Sequence, residues 1–454
     1  MVHGEESGPV SEPREGCVVI EDATCTQCGC VCDDIDLTVV GQKIVAAERA
    51  CPLGERWFFG HSGKAGPACL IRGQEASIAD GIERAAQVLV RAKYPLVFGL
   101  AETTAEAQRS AVAIADWLGG NIDSTTSIYH GPSGMAFEGV GEVTATLGEV
   151  CNRGDLIVFW GSDPVKSHPR HFSKYSLYPR GLFVPGGRRD RTAVVVDTEF
   201  TESAREADLF LRIKPGADFE GLWVLRALAS DIEVDRAVVE QDTGVSLATW
   251  QDLMARMKRA RFGALFFGAG LTLTRGRHVN GEAALALTRD MNRHTRFVCR
   301  ANRGAGNLAG ADNVLTWQTG YPFAVNLGRG YPRFNPGEYT ATDILARGEA
   351  DAALIVANDS LSVLEEGAAQ HLQSIPYVAL HHKQCATMEK AEVAFTVAAY
   401  GICTGGTVYR MDEVPIPLRP AIRSSLPGAE EILAALEHRV RELQAERRGL
   451  AALG

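Results

Sequence analysis

Four cysteines constrain this chain more than any other feature. They stand as Cys25-x2-Cys28-x3-Cys32-x18-Cys51, and Pro52 follows at once. Three thiols within eight residues can converge on one centre, and a fourth from a separate segment closes it. Thiolates are soft donors that suit iron-sulfur clusters and zinc. A [4Fe-4S] cluster is the first expectation; zinc and an empty set of reduced thiols are the alternatives. Cys30 is expected to point away. The spacer between Cys32 and Cys51 reads as a hairpin, with Ile35–Val40 alternating, a turn at Gly41-Gln42-Lys43, and a return through Ile44-Val45-Ala46. The chain has eleven cysteines in 454 residues. An odd number in a large chain is poor evidence for a disulfide framework, and the local cluster reads as a metal site.

Beyond this small unit, apolar runs alternate with helical periodicity. Pro95–Gly99, Leu156–Trp160, Thr192–Asp197, Leu209–Ile213, Ala264–Gly268, Ala352–Ala357 and Pro376–Leu380 read as buried strands. Helical patterns cover 77–92, 103–118, 218–229, 281–291 and 429–447. The class is α/β with mainly parallel sheets. The last helix is amphipathic, with Ile432, Leu433, Leu436, Val440 and Leu443 on one face; it is expected to dock on its own domain, with a partner-subunit surface as the alternative. Residues 1–15 are polar and acidic and read as frayed. The formal net charge of -10 argues against nucleic acid as a partner. No run reaches the length of a membrane span. The start lacks the basic-then-apolar order of a signal peptide, so the expected location is cytoplasmic.

One interval reverses the sign of the charge. Lys166, Arg170, Lys174, Arg180, Arg188, Arg189 and Arg191 fall within 26 residues, with His168 and His171 among them and Asp190 the one acid. The interval follows a strand that ends in Gly161-Ser162-Asp163-Pro164, where open α/β sheets bind ligands. It reads either as a site for a polyanion or as ordinary solvated or subunit-bridging surface. A second set, Arg300, Arg303, Arg329 and Arg333, is expected in a Gly- and Asn-rich loop able to offer amides to an anion. His381-His382-Lys383 reads as a surface or turn pair. No Walker A, dinucleotide or His-Glu-x-x-His motif is present.

The segments Cys25–Ile35 and Cys51-Pro52-Leu53-Gly54 resemble the B subunit of formylmethanofuran dehydrogenase. So do Trp160–Pro164, His168-Pro169-Arg170-His171, Ile213–Gly216, Gly401-Ile402 and Gly405–Asp412. The resemblance covers about residues 15–425. It implies a multidomain molybdopterin-oxidoreductase-like fold with a small N-terminal cysteine-rich domain. The expected division is 1–75 for the cysteine-rich domain, 76–149 with 299–360 for a split α/β domain, and 150–298 for an inserted Rossmann-like domain. Residues 361–425 form a further α/β domain, and 426–454 the C-terminal helix.

The resemblance also implies that Cys25, Cys28, Cys32 and Cys51 hold a [4Fe-4S] cluster. In the family a sulfur ligand to a pterin-bound molybdenum or tungsten precedes a His-Gly-Pro-Ser segment. That segment here is His130–Ser133, and Tyr129 stands in the ligand position, with His130 its neighbour. A phenol is harder and bulkier than a thiol and has a higher pKa. The pterin-held metal is therefore expected to be absent.

This departure makes the chain similar to the B subunit of the bacterial formyltransferase/hydrolase complex. That likeness implies a non-redox structural and carrier-binding subunit, without an active site of its own. Its partners would be formyltransferase, metal-dependent hydrolase and C-type subunits. The carrier would be methanofuran-like and polyglutamylated, and Lys166, His168, Arg170, His171, Lys174, Arg180, Arg188, Arg189, Arg300, Arg303, Arg329 and Arg333 are its candidate contacts. The competing expectation is the catalytic B subunit of a tungsten- or molybdenum-pterin formylmethanofuran dehydrogenase.

Overall fold

The computed structural model describes residues 16–61, 66–304 and 306–451. The segment 1–15, expected to fray, lies outside the described residues. Two large sheets and two small ones make up the fold. The first small sheet is antiparallel and pairs Cys17–Ala23, Ile35–Val40 and Lys43–Glu48, with Gly41 in the left-handed turn (φ 64°) that the hairpin needs.

The five-stranded sheet is all parallel. Its spatial order is Leu209–Arg212, Thr192–Asp197, Leu156–Trp160, Phe262–Phe267, Arg296–Ala301. The chain enters in the middle, builds outward one way, then returns to build the other way. The order reverses between Leu156–Trp160 and Phe262–Phe267. In the nine-stranded sheet the order reverses at Pro95–Gly99, which lies beside both Asn121–Ser124 and Ala352–Val356. Its central five strands are parallel and its flanks antiparallel. Buried on both faces, the central strands read as unbroken apolar runs.

Local signals set the helix ends. Ser77 and Thr104 accept hydrogen bonds from the amides of Asp80 and Ala107, capping Ile78–Arg91 and Ala105–Leu118. Gly119 closes the second helix in the left-handed conformation. The C-terminal helix Ala429–Ala451 packs on those same two helices and buries Ile432, Leu433, Leu436 and Val440 in their core. It docks on its own fold, as its apolar face implied. Full burial of side chains of this size contributes roughly 1.5–3 kcal/mol each. Arg300 departs from expectation: it lies in the strand Arg296–Ala301, and the irregular loop begins only at Asn302. The Gly- and Asn-rich stretch that follows obscures the alternating apolar residues of that strand.

Candidate functional site

The carboxyl ends of six strands, three from each large sheet, open on one cavity of about 650 Å³. Ala101 and Glu102 follow Pro95–Gly99; Thr125, Tyr129 and His130 follow Asn121–Ser124; Asn358 and Asp359 follow Ala352–Val356. From the other sheet come Gly161–Asp163 with Lys166 and His168, Gly268–Gly270, and Asn302 with Gly304. Both chain reversals thus meet across a single space, the position open α/β sheets reserve for ligands.

Glycines let the walls close. The Gly270 amide donates to the Gly161 carbonyl at 3.0 Å. Gly161 has φ +54°, and a Cβ there would stand 2.5 Å from the Leu271 amide nitrogen. A Cβ on Gly268 would stand 2.5 Å from the Gly161 carbonyl oxygen. The neighbours are backbone and cannot swing aside. Gly161→Ala is expected to cost about 2–4 kcal/mol from overpacking and the left-handed conformation together. Thermal unfolding of wild type and variant checks this; an unchanged midpoint would mean the seam is loose enough to admit a methyl group.

Two side-chain atoms of the lining, Thr125 Oγ1 and Asn302 Oδ1, are buried without a hydrogen-bond partner among the described residues. Buried polar atoms normally find one, so this cradle fits a polar ligand of considerable size. The metal position is another matter. Tyr129 ends the short helix Thr126–Tyr129, is 41% exposed, and brings a phenol to the cavity lining. The cavity fits a large polar molecule; among the described residues no cysteine or methionine lines it to hold a metal through sulfur.

His130 and His168 are fixed acceptors and donors. His130 Nε2 accepts from the Gly304 amide at 3.2 Å. His168 Nε2 donates to the Arg303 carbonyl at 2.6 Å, and its Nδ1 accepts from Ser167 Oγ at 2.8 Å. Burial, then the Arg303 charge, pushes His130 down to about 3; burial also lowers His168. Both rings are neutral at physiological pH.

The cysteine loop packs against the Arg303 backbone, between the cavity-lining Asn302 and Gly304. The Gly306 amide donates to the Thr26 carbonyl and the Met411 amide to the Gly29 carbonyl, both at 2.9 Å. A Cβ on Gly29 would stand 2.5 Å from the Arg303 carbonyl oxygen. Cys25, Cys28 and Cys32 are buried, and Cys51 caps the helix Pro52–Phe59, whose Gly54 leaves room beside Cys25 Sγ. The thiols act on one another's titration: burial pushes Cys25 well above the usual thiol range, with Cys28, Cys32 and Cys51 adding to it. Burial likewise pushes Cys32 to about 12, while a hydrogen bond from the Cys30 thiol, then the nearby Arg170 charge, lowers Cys28.

Cys30 is fully buried beside Cys28. The turn is too tight for alternation: the Val31 amide donates to the Cys28 carbonyl at 3.1 Å and Val31 takes φ +38°. Among the described residues, the His, Cys, Asp and Glu ligand atoms that gather in threes within 4.8 Å belong to Glu102, His381 and His382. Cys25, Cys28, Cys32 and Cys51 are the residues that would hold a metal centre here; thiolates suit a [4Fe-4S] cluster, which would supply one-electron transfer, and zinc alike.

The twelve basic and imidazole residues expected to meet a carrier fall into separate groups. Lys166 and His168 line the cavity. Arg170 makes a two-pronged pair with Asp34, both contacts 2.7 Å, and Lys174 bridges Asp33 and Asp34 at 2.7 Å. Burial raises the Asp34 carboxyl, but those two cations outweigh it and hold it far below the usual range. These two residues clamp the cysteine loop. His171 is buried against Phe159 and Phe266. Arg188 pairs with Asp208 at 2.9 Å. Arg300 binds the Met411 carbonyl, and Arg303 binds Asp312. Arg333 donates to Asn326 at 2.6 Å, and Arg180, Arg189 and Arg329 are exposed.

Sequence reasoning missed Glu102, Asn302, and the burial of His381 and His382. All stand at strand carboxyl ends, which was the available signal. His381 and His382 are not a surface pair: Glu102 Oε2 lies 3.6 and 3.8 Å from their Nε2 atoms. The Lys383 amide donates to His381 Nδ1 at 2.9 Å, so the proton of that neutral ring sits on Nε2 and faces Glu102.

Comparison with known proteins agrees with this architecture. No family model matches the chain. Among solved structures, it superposes on a chain of the formyltransferase/hydrolase complex (FhcABCD) from Methylorubrum extorquens in complex with methylofuran. There the TM-score is 0.69 at 23% identity, over 83% of this chain and 100% of that one. Acetylene hydratase from Pelobacter acetylenicus gives a TM-score of 0.68 at 12% identity, over 94% of this chain and 70% of that one. The fold is molybdopterin-oxidoreductase-like, with a cysteine-bearing strand-rich unit at its start.

Sequence similarity narrows the class. The B subunit of tungsten-containing formylmethanofuran dehydrogenase 2 from Methanocaldococcus jannaschii is 39% identical over 435 residues, covering 94% of this chain and 99% of the relative. The B subunit of the formyltransferase/hydrolase complex Fhc from Methylorubrum extorquens is 25% identical over 350 residues, 75% of this chain and 88% of that one. The chain belongs to the family of formylmethanofuran dehydrogenase B subunits. No helix among its described residues is long and apolar enough to cross a membrane.

Proposed function

We propose that this chain is a non-redox, carrier-binding subunit of a formyltransferase/hydrolase complex. Such a complex converts formyl-tetrahydromethanopterin to formate through a methylofuran-type carrier in one-carbon oxidation. The observation that carries this reading is Tyr129: a phenol stands beside His130 at the mouth of the cavity, in the place of a sulfur donor to a soft metal. The likeness to the Fhc B subunit supports it, as does the likeness to a complex with methylofuran bound. Its partners are then formyltransferase, metal-dependent hydrolase and C-type subunits. The carrier contacts are drawn from the cavity-lining Lys166 and the exposed Arg180, Arg189 and Arg329 before the internally paired cations. The eleven cysteines are free, which suits a reducing cytoplasm.

In this reading the four thiols keep their centre for structural reasons. A metal that ties a loop to its surroundings contributes folding free energy whether or not electrons pass through it. The retained cavity and the 39% identity to the tungsten-containing relative favour one competing reading, a catalytic pterin enzyme.

One measurement separates the two. The complex purified from its source is assayed for tungsten, molybdenum and extractable pterin, and for formate turnover with a redox dye. Metal and pterin far below one per chain, with formyl transfer intact, are the expected results. Stoichiometric tungsten or molybdenum with pterin, turning over formate, would overturn the proposal.

A further inference from the structure

The five-stranded sheet has a second concave surface, at the end away from the cavity. A groove of about 710 Å³ opens where Phe262 and Arg296 begin their paired strands, at the amino ends rather than the carboxyl ends. Arg153, Arg261, Arg293 and Arg296 line it, and among the described residues no carboxylate does. In a chain of net charge -10 this is a local field of opposite sign. Two of the four are partly neutralised: Arg153 lies 3.3 Å from Glu149, and Arg261 3.1 Å from Asp155. Arg293 and Arg296 are exposed and make no ion pair among the described residues.

Apolar side chains stand next to these charges. Phe183 is 47% exposed and Leu182 is 76% exposed. They are held outward by a fixed backbone: Asn152 Oδ1 accepts from the Leu182 amide at 3.1 Å, and Arg261 donates to the Phe183 carbonyl at 3.2 Å. The Arg153 guanidinium lies 4.7 Å over the Phe183 ring. Arginine beside an exposed aromatic ring is the composition of protein interfaces. A free polycarboxylate would satisfy the arginines and leave Leu182 and Phe183 in water. An occupant that answers both features carries acidic and apolar side chains on one chain.

We propose that this groove docks an acidic, apolar-anchored segment of a partner polypeptide. Its carboxylates meet Arg293 and Arg296, and its apolar residue covers Leu182 and Phe183. The proposal rests on the reading that the chain works inside a complex with other subunits.

The test exchanges this chain in the native complex for R293E/R296E and, separately, L182S/F183S. R205E/R236E, which makes the same charge change at exposed positions outside the groove, is the control. Native mass is read over a dilution series. Each groove variant is expected to lose a partner at about tenfold or more higher concentration than wild type, and the control to match wild type. Added salt should weaken the wild-type contact and change that of the charge variant little. An R293E/R296E complex as stable as wild type overturns the groove alone. A wild-type chain that runs alone overturns the complex reading and the groove with it. A synthetic oligoglutamate that displaces the partner equally well from wild type and L182S/F183S makes the site a polyanion site and overturns the peptide occupant.

Discussion

Replacing Arg303 by Ala is expected to destabilise this protein by about 3–5 kcal/mol, the cost of stranding a buried charge by removing its partner. Arg303 and Asp312 are both buried and hydrogen-bonded to each other, and Asp312 also accepts from Thr126 Oγ1 at 2.7 Å. Burial raises the Asp312 carboxyl and the Arg303 charge opposes that rise. Without the guanidinium the carboxylate must either stay charged in a poorly solvated place or take up a proton, and both cost free energy. Roughly two kilocalories or more move the midpoint of a domain of this size by several degrees, so thermal unfolding followed by near-ultraviolet circular dichroism reads the effect. The double variant R303M/D312L should recover most of the loss, because it removes both desolvation costs at once. An R303A midpoint within a degree of wild type would show that Asp312 is solvated. The consequence reaches the site, since the Arg303 carbonyl receives the His168 proton and abuts Gly29 of the cysteine loop.

The second large effect is expected at Trp160, the last residue of the strand that leads into Gly161-Ser162-Asp163. Its ring is fully buried, stacks on Trp250 at 6.1 Å between centroids, and donates Nε1–H to Asp218 at 2.9 Å. Trp160→Ala should cost about 3–5 kcal/mol through lost burial and the cavity left behind. Trp160→Phe isolates the hydrogen bond. Burial raises the Asp218 carboxyl to about 6, and the Trp160 hydrogen bond restrains that rise. This folded value lies above the ordinary unfolded value near 3.9. The folded state therefore binds the proton more readily, and Asp218 favours folding more as pH falls from above 6 toward 4. Removing the donor harms the charged carboxylate more than the neutral acid. The loss in W160F should be larger at pH 8 than at pH 5, with a span of about 1–3 kcal/mol at the higher pH. Urea unfolding at the two pH values measures it; equal losses would mean that Asp218 keeps another donor for its charged form.

Both positions were visible in the sequence only as features of local pattern. Trp160 reads as the end of an apolar run, and Arg303 as one cation in a loop of glycine and asparagine. Neither reading contains the partner: Asp218 lies 58 residues from Trp160 on another element, and Asp312 lies on the helix Leu308–Thr319 that follows the loop of Arg303. The same is true of Arg170 and Lys174. As sequence they are part of a basic interval awaiting an anion; folded, they meet Asp34 and Asp33 more than 130 residues away. Charge along a chain is a local quantity, and charge neutralisation is a tertiary one.

The order of residues by itself determined the α/β class, many of the buried strands and several of the helices, the cysteine hairpin and the docking face of the last helix. Each depends on periodicities of two or 3.6 residues, on turn residues, or on thiol spacing, all of which act over a few neighbours. It also fixed Tyr129 next to the His-Gly-Pro-Ser segment. Only the tertiary structure decided that both chain reversals face one cavity, and that His381 and His382 are buried around Glu102. It alone placed the arginine groove at the far end of the sheet. Such features arise from strand order and packing between segments hundreds of residues apart, and no short-range pattern encodes which of them will meet.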